Sequence, residues 1–246
     1  MKQRIDQLLV ARGLFESRAR AQAAISAGLV TVNGATARKS SESFEDDARI
    51  EAEQPWPWVS RGGVKLAHAL DQFGIPVDGR ICLDVGSSTG GFSHVLLDRG
   101  ARYVIAVDSG RDQMHASLRE EPRLSLHEET DIRHLTWPAN EELASLVVID
   151  VSFISLTLVI PTLEPFVRDG ADMVALIKPQ FEVGRAKIGK NGVVTDSAAR
   201  EDAIASVKLT SEDSGWRVAG VIDSPIAGGD GNREYLMHAR RAAAPK

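Results

Sequence analysis

Hydrophobic and polar positions follow an α/β pattern over most of the chain. From Ser60 onward, short apolar runs recur, and most are separated by segments with helical spacing. These runs predict strands at 81–85, 103–107, 124–127, 146–150, 173–177, 216–222 and 234–239. The last two runs are joined by a glycine-rich loop that has no room for a helix. The pattern therefore predicts a largely parallel seven-stranded sheet that ends in an antiparallel hairpin.

The first 54 residues follow a different pattern, which predicts a small α+β domain. Ile5, Leu8 and Leu9 fall on one helical face, and Ser17 is placed to cap a second helix. An alternating run then leads into Asn33-Gly34, a strong hairpin signal. We expect a further strand near Ile50.

Residues 55–59, Pro-Trp-Pro-Trp-Val, separate these two patterns. Proline restricts the backbone and cannot continue a strand ladder, so this stretch predicts a short, stiff linker. We expect its tryptophans to pack against one or both domains. The predicted domains are residues 1–54 and 60–246.

Composition is that of an ordinary globular protein. The 246 residues are 43% hydrophobic and 26% charged, with a net charge of −5, so charge as a whole does not favour a nucleic-acid partner. The one cysteine, Cys82, excludes a disulfide framework within the chain and suits a reducing cytoplasm. No signal-peptide pattern or membrane span is expected. The six histidines show no metal spacing, and we predict no metal site.

Charge is unevenly distributed within the first domain. Residues 1–40 carry seven basic and two acidic side chains, whereas residues 41–54 carry one basic and six acidic. A basic helical face is typical of a small RNA-binding module, although a solvated face of mixed charge gives the same count.

A glycine-rich turn after the first strand of the larger domain indicates a nucleotide-like ligand. Gly86-Ser87-Ser88-Thr89-Gly90-Gly91 follows the strand, and a helix begins near Phe92. Such a turn brings the backbone close to a ligand, and Asp108, 22 residues after Gly86, ends the next strand where a carboxylate can bind ribose hydroxyls. The spacing G-x-x-x-G-G differs from the dinucleotide pattern G-x-G-x-x-G. It favours S-adenosylmethionine over a nicotinamide cofactor.

Further polar residues stand at the predicted carboxyl ends of the strands, where an open parallel sheet binds its ligand. Asp131, Asp150 and Lys178 follow the third, fourth and fifth strands, and Asp131 is equally well placed to cap a helix. Lys65 lies near the start of the preceding helix, and Glu234 opens the last strand. We expect these side chains to share one edge of the sheet.

The run R-I-D-Q-L-L-V-A-R-G-L-F-E-S-R-A-R-A-Q-A-A-I-S-A-G-L-V-T-V-N-G resembles the S4 RNA-binding domain. The resemblance implies two helices against a small sheet. It also implies that arginines of the helical face, here Arg4, Arg18 and Arg20, contact RNA backbone. Contacts of that kind give affinity and position rather than sequence choice.

Five further segments resemble the TlyA/hemolysin A family, which joins an S4 domain to an FtsJ-like methyltransferase domain. They are W-V-S-R-G-G-V-K-L, L-D-V-G-S-S-T-G-G-F, D-V-S-F-I-S-L, K-P-Q-F-E-V-G-R and S-P-I-A-G-G-D-G-N-R-E-Y. The resemblance implies a Rossmann-like, seven-stranded class I methyltransferase domain beside a small α+β S4 domain. The implied activity is S-adenosylmethionine-dependent methylation of a ribose 2′-hydroxyl of ribosomal RNA, on a cytidine of 16S and/or 23S rRNA. Ribosomal RNA or ribosomal subunits in the cytoplasm are the implied partners.

The same resemblance assigns roles to individual residues. The catalytic set maps onto Lys65, Asp150, Lys178 and Glu234, and the sequence leaves open which lysine is the base. The expected donor-binding residues are Gly86, Ser87, Ser88, Thr89, Gly90, Gly91, Phe92, Asp108, Asp131 and Asp150.

Three other functions remain to be weighed. A nicotinamide-dependent oxidoreductase can begin with a similar strand and turn, but the glycine spacing and the two lysines at the sheet edge argue against it. A membrane-active hemolysin is suggested by the family name, without a membrane-active segment to support it. An RNA-binding protein with an inactive methyltransferase fold is the third, and the intact four-residue set argues against it.

Overall fold

The computed structural model describes residues 2–138, 141–189 and 191–243. Contacts divide the chain into two compact units, Met1–Pro57 and Trp58–Lys246. This division falls within the stretch 55–59, while the limits of the linker and of the two domains stay a prediction.

The smaller unit consists of two short helices and two small antiparallel sheets within the described residues. The first sheet pairs β1 with β4, and in the second β2 lies between β3 and β5. The elements are β1 (Lys2–Arg4), α1 (Ile5–Ala11), α2 (Arg18–Ser26), β2 (Val30–Val32), β3 (Ala35–Thr36), β4 (Ser43–Glu45) and β5 (Ile50–Ala52).

Local sequence accounts for these elements. The apolar face of α1 is buried through Ile5, Leu8 and Leu9, and the Ser17 hydroxyl accepts from the Arg20 amide at the start of α2. The turn between β2 and β3 places Asn33 and Gly34 at φ of 51° and 82°. Both residue types tolerate this left-handed backbone, so the predicted hairpin is confirmed.

The larger unit is an α/β domain. Its strands are β6 (Ile81–Val85), β7 (Tyr103–Val107), β8 (Leu124–His127), β9 (Ala144–Ile149), β10 (Val167–Ile177), β11 (Trp216–Asp223) and β12 (Tyr235–Arg241). Its α-helices are α3 (Gly62–Phe73), α4 (Gly91–Asp98), α5 (Ala116–Arg119), α6 (Leu156–Val159), α7 (Pro179–Glu182) and α8 (Ser197–Asp213), with 3₁₀ segments at Ile132–His134, Ile160–Phe166 and Arg185–Lys187.

Among the described residues, the seven strands form one sheet in the order β11-β12-β10-β9-β6-β7-β8. The pairs from β10 to β8 are parallel, while β12 is antiparallel to both of its neighbours. The predicted Rossmann-like class I fold and its antiparallel ending are confirmed. The insertion of β12 between β10 and β11 was not predicted.

Both faces of this sheet are covered. One hydrophobic cluster places Leu83 and Val85 of β6 with residues of α6, α8 and the 3₁₀ segment Ile160–Phe166. The other places Cys82 with residues of α3 and α4. Alternate residues of a strand point to opposite faces, so the apolar residues of β6, which Asp84 interrupts, reflect burial on both sides.

The structure corrects three sequence-based boundaries. β9 begins two residues before the predicted start at 146, and β10 begins at Val167 rather than 173. Polar residues near the start of β10 interrupt its apolar run, so the first half of the strand was not predicted. β12 begins at Tyr235 rather than 234, so Glu234 precedes the last strand instead of opening it. No helix in the described part of the chain is long and apolar enough to span a membrane.

Candidate active site

The polar residues that the sequence places at strand ends lie at the carboxyl edge of the large sheet. Gly86 follows β6, Asp108 follows β7, Asp150 follows β9 and Lys178 follows β10. Because these four strands are parallel, their carboxyl ends meet on one side of the sheet. A cavity of about 600 Å³ opens there.

This cavity, the larger of two described here, has the size and lining of a small-molecule site. Its walls combine backbone of the glycine-rich turn and apolar side chains with three aspartates, Asp108, Asp131 and Asp150. The lining residues are Val85, Gly86, Ser88, Val107, Asp108, Ser109, Gly110, Gln113, Thr130, Asp131, Ile132, Asp150, Val151, Ser152, Phe153, Ile154 and Val159.

Asp108 is held by backbone amides on both sides. Its Oδ2 accepts from the Ser88 amide at 2.8 Å, and its Oδ1 accepts from the Gly110 amide at 2.6 Å. A carboxylate oxygen has lone pairs for more than one donor, so both oxygens can still accept from ligand hydroxyls. Gln113 reaches the same place, with its Oε1 3.0 Å from the Ser88 hydroxyl.

Asp131 both lines the larger cavity and caps a helix. It accepts from the Arg133 amide at the start of the 3₁₀ segment Ile132–His134. Its ion pair with the Arg133 guanidinium, 2.5 Å long, lowers the pKa of Asp131 to about 2. The capping role that the sequence left open is therefore present, and adenine binding by Asp131 stays a prediction.

Gly86 is required by geometry. Its φ is +84°, and a Cβ added there would lie 2.5 Å from the Asp150 carbonyl oxygen. Other residues avoid this left-handed backbone, and the obstacle is backbone rather than a side chain that could move. The turn can therefore pass close to the end of β9 only because residue 86 is glycine.

A smaller cavity of about 240 Å³ shares Gly86, Ser88 and Asp150 with the larger one. Gly90 lines neither cavity; a Cβ there would instead meet Met114 and Leu118. The smaller cavity is lined by Ser60, Arg61, Gly62, Lys65, Gly86, Ser87, Ser88, Thr89, Gly91, Phe92 and Asp150.

Lys65 and Glu234 form a buried ion pair. The Lys65 Nζ and the Glu234 Oε2 are 2.5 Å apart, and the two residues are only 6% and 4% exposed. Gly228 makes room for this pair, since a Cβ at that position would lie 2.5 Å from the other Glu234 oxygen. Charges this well buried are stable only when paired.

Lys178 forms the second pair. Its Nζ lies 2.6 Å from Asp150 Oδ1 and donates to the Ser152 hydroxyl at 2.9 Å. Pro179 begins α7 directly after Lys178, which ends the strand and fixes the lysine at the sheet edge. The structure thus joins the four predicted catalytic residues as two ion pairs, and Asp150 and Lys65 line the same small cavity.

Phe153 is a site residue that sequence reasoning missed. It is 92% exposed, lines the larger cavity and has a φ of +65°, a strained conformation for an aromatic residue. The ring centroid of Phe153 is 5.2 Å from that of Phe181, and the Lys178 Nζ is 6.0 Å from the Phe181 centroid. An aromatic residue in the loop that follows β9, within D-V-S-F-I-S-L, was the available signal.

A further carboxylate is buried in β6, the strand that precedes the glycine-rich turn. Asp84 of β6 is fully buried, and its Oδ2 accepts from the Ser93 hydroxyl at 2.6 Å. Burial raises the pKa of Asp84 to about 7, with a smaller contribution from the nearby Asp150 charge. Hydrophobic spacing alone gave no sign of this group, because Asp84 stands inside an apolar run.

The predicted RNA-binding arginines are held by the smaller unit's own polar groups. Arg4 and Arg18 both donate to Asp6, which is completely buried and also accepts from Gln22. These donors, Arg4 first, hold the pKa of Asp6 well below its usual range. The side chains of Arg4 and Arg18 remain 41% and 53% exposed.

Arg20 donates to the Gln54 side chain and to the Trp56 carbonyl, and its guanidinium lies 5.6 Å from the Trp56 ring centroid. RNA contact by the three arginines stays a prediction.

The residues present fit S-adenosylmethionine. A glycine cradle that a Cβ would fill, a carboxylate fixed by two amides and an apolar wall suit the methionine part, the ribose and the base. Ser87, which lines the smaller cavity, has a buried hydroxyl with no protein partner. Among the described residues, no group of three or more His, Cys, Asp and Glu side chains is arranged to hold a metal ion.

Comparison with known proteins agrees with this architecture. Residues 58–241 match the FtsJ-like methyltransferase model, and residues 3–50 match the S4 domain model. The combination of these two domains defines the class of protein. The chain belongs to the TlyA/hemolysin A family of S4-containing, FtsJ-like methyltransferases.

Relatives from three organisms span nearly the whole chain. The 16S/23S rRNA (cytidine-2′-O)-methyltransferase TlyA of Mycobacterium tuberculosis is 44% identical, covering 96% of this chain and 89% of the relative. Hemolysin A of Brachyspira hyodysenteriae is 39% identical, covering 96% and 98%. A solved structure of a Streptococcus thermophilus protein is 41% identical, covers 99% of this chain and 90% of that one, and has a TM-score of 0.77.

Proposed function

We propose that this protein transfers the methyl group of S-adenosylmethionine to a ribose 2′-hydroxyl of ribosomal RNA, on a cytidine of 16S and/or 23S rRNA. The observation that carries the proposal is that the Lys65–Glu234 and Lys178–Asp150 pairs each place one residue, Lys65 and Asp150, in the same small cavity, which adjoins a larger cavity that fits the donor. The name of the Mycobacterium relative supports the same substrate.

Residues of both cavities contribute to the proposed donor site. Gly86 to Gly91, Phe92, Asp108, Asp131 and Asp150 would hold the donor, which supplies an electrophilic methyl carbon on a sulfonium. Asp150 belongs to both cavities and also holds Lys178, so it links the donor half to the acceptor half.

A ribose hydroxyl is a weak nucleophile, so the protein must align its oxygen and remove its proton. Lys178 is held by Asp150 and Ser152 in a fixed position, and we assign it to the 2′-oxygen. One lysine amine would accept the hydroxyl proton as the oxygen–carbon bond forms and the carbon–sulfur bond of the donor breaks, which leaves S-adenosylhomocysteine. The other stabilises the negative charge on the oxygen.

Phe153 provides a surface for the base of the target nucleotide. An exposed ring at the rim of the larger cavity can stack on a base that has left its helix. Arg4, Arg18 and Arg20 of the smaller unit are proposed to bind RNA backbone, and the substrate is ribosomal RNA or an assembled subunit.

The test uses the full chain, S-adenosylmethionine labelled in its methyl group, and ribosomal subunits or purified rRNA from cells that lack this gene. We expect one or more cytidines to become 2′-O-methylated. Lys178→Ala should abolish transfer while donor affinity changes less than about threefold, and Lys208→Ala, on the exposed face of α8, should behave as wild type.

The competing functions give different results. Binding of NAD without binding of S-adenosylmethionine would indicate an oxidoreductase. Strong leakage from liposomes with the purified protein would support direct membrane activity. Equal transfer by Lys178→Ala and wild type would remove Lys178 from the mechanism.

A further inference from the structure

Two loops carry the acceptor half of the site. The first follows β9 and runs from Asp150 to Ser155, where α6 begins; the second follows β10 and comprises Lys178 and the single turn of α7. We call them the β9 loop and the β10 loop. Each holds a residue assigned above to the acceptor, Phe153 in the β9 loop and Lys178 in the β10 loop.

Three successive contacts join these loops. The innermost is the contact of Lys178 with Asp150 and Ser152, and the middle one is the Phe153–Phe181 ring contact. The outermost is made by Glu182, the last residue of α7.

Glu182 fixes the far end of the β9 loop. Its Oε2 accepts from the Ser155 hydroxyl at 2.5 Å, and its Oε1 accepts from the Leu156 amide at 2.9 Å. Ser155 in turn caps α6 by accepting from the Thr157 amide. Glu182 therefore satisfies a helix-start amide of α6 from a different loop, and its carboxylate is partly buried.

Phe153 needs such an anchor. A bulky residue with positive φ persists only where the surrounding chain determines its conformation. On the side of β9, the Asp150 amide donates to the Val85 carbonyl at 2.9 Å. On the side of α6, the bonds from Ser155 and Leu156 to Glu182 hold the chain. The strained residue lies between these two anchors.

We propose that Glu182 is a positioning residue for the acceptor. It ties the β9 loop to the β10 loop, keeps Phe153 in its strained, exposed conformation, and so sets where the base of the target nucleotide stacks relative to Lys178. This inference rests on the proposed function for the role of Phe153. Glu182 itself lines neither of the two cavities and belongs to neither ion pair.

The test is a double-mutant cycle in the full chain, with Glu182→Ala and Phe153→Ala alone and combined, and Glu201→Ala on the exposed face of α8 as control. Single-turnover methylation is measured with saturating donor. Glu182→Ala should slow transfer about 10- to 100-fold in the wild-type background, since small misplacements of a reacting group cost this much. In the Phe153→Ala background it should slow transfer no more than about threefold. Donor affinity and the melting temperature report whether each variant is folded.

A second readout does not require activity. Amide hydrogen exchange over residues 151–158 should rise in Glu182→Ala and stay unchanged in Glu201→Ala, while exchange over β6 stays unchanged in both. Glu182→Gln keeps an acceptor for the Leu156 amide and should recover part of the rate, which gives a folded comparison if Glu182→Ala is unstable.

Three results would overturn the inference. They are unchanged exchange over 151–158, a Glu182→Ala rate within twofold of wild type, and equal effects of Glu182→Ala with and without Phe153. A wild-type protein that methylates no rRNA would instead contradict the proposed function, and the exchange measurement would still decide whether Glu182 anchors the loop.

Discussion

Replacing Gly86 by alanine should damage the fold and the donor site together. Alanine at the φ of +84° costs about 1–2 kcal/mol through backbone strain. The added Cβ would also lie 2.5 Å from the Asp150 carbonyl oxygen and 2.9 Å from the Asp150 carbonyl carbon, distances at which the backbone must move. Overpacking of this kind costs about a further 1–3 kcal/mol. The expected loss in the free energy of unfolding is roughly 2–5 kcal/mol.

Gly79 offers a matched control. Its φ is +70°, but a Cβ there would meet nothing within 4 Å. Gly79→Ala should therefore lose only the strain energy, about 1–2 kcal/mol, and should keep donor affinity. Denaturant unfolding measures the first quantity and calorimetric titration with S-adenosylmethionine measures the second. Equal stability losses in the two variants, or normal donor affinity in a folded Gly86→Ala, would refute the steric reasoning.

Three further outcomes are expected. Glu234→Leu should lower the free energy of unfolding by about 3–5 kcal/mol, because it leaves the buried Lys65 charge unpaired. Adding Lys65→Met should restore much of that stability, although not the activity. Denaturant unfolding measures both variants, and no recovery in the double variant would contradict the ion-pair explanation. Asp84 has its pKa raised from 3.8 to about 7, so the folded state holds a proton that the unfolded state releases, and stability falls on the order of 4 kcal/mol as pH rises from about 4 to 7. Asp84→Asn should flatten that decline. If the dependence of stability on pH is unchanged in this variant, the decline does not come from Asp84. Arg18→Ala should weaken rRNA binding in a filter or anisotropy assay and reduce its salt dependence while leaving donor affinity unchanged, and unchanged RNA affinity would exclude the proposed phosphate contact.

Much of the larger unit follows from local sequence. Apolar runs of strand length reveal β6 to β12, and residues at the carboxyl ends of parallel strands must lie on one edge, which places Gly86, Asp108 and Asp150 together. The turn at Gly86 is a local property, because a left-handed backbone after a strand requires glycine. The order of strands is not local, so the position of β12 between β10 and β11 came only from the structure.

The pairing of side chains is the part that sequence could not give. Lys65 and Glu234 are 169 residues apart in sequence, and no periodicity relates a helix start to the last strand. The strain at Phe153 has no compositional signature, since it arises from anchors on both sides of the loop. Arg4 and Arg18 show the same limit. Their shared buried partner, Asp6, stands next to an apolar helical face, and sequence alone gave no indication of its burial.

The most direct test of the central claim is to map ribose methylation across 16S and 23S rRNA in cells with the gene, without it, and with the gene carrying Lys178→Ala. We predict one or more cytidine 2′-O-methyl groups that are present only with the wild-type gene, and that return when purified wild-type protein and S-adenosylmethionine are added to the unmodified subunits or rRNA. Identical maps in all three strains, or a modification that survives Lys178→Ala, would contradict the proposed reaction.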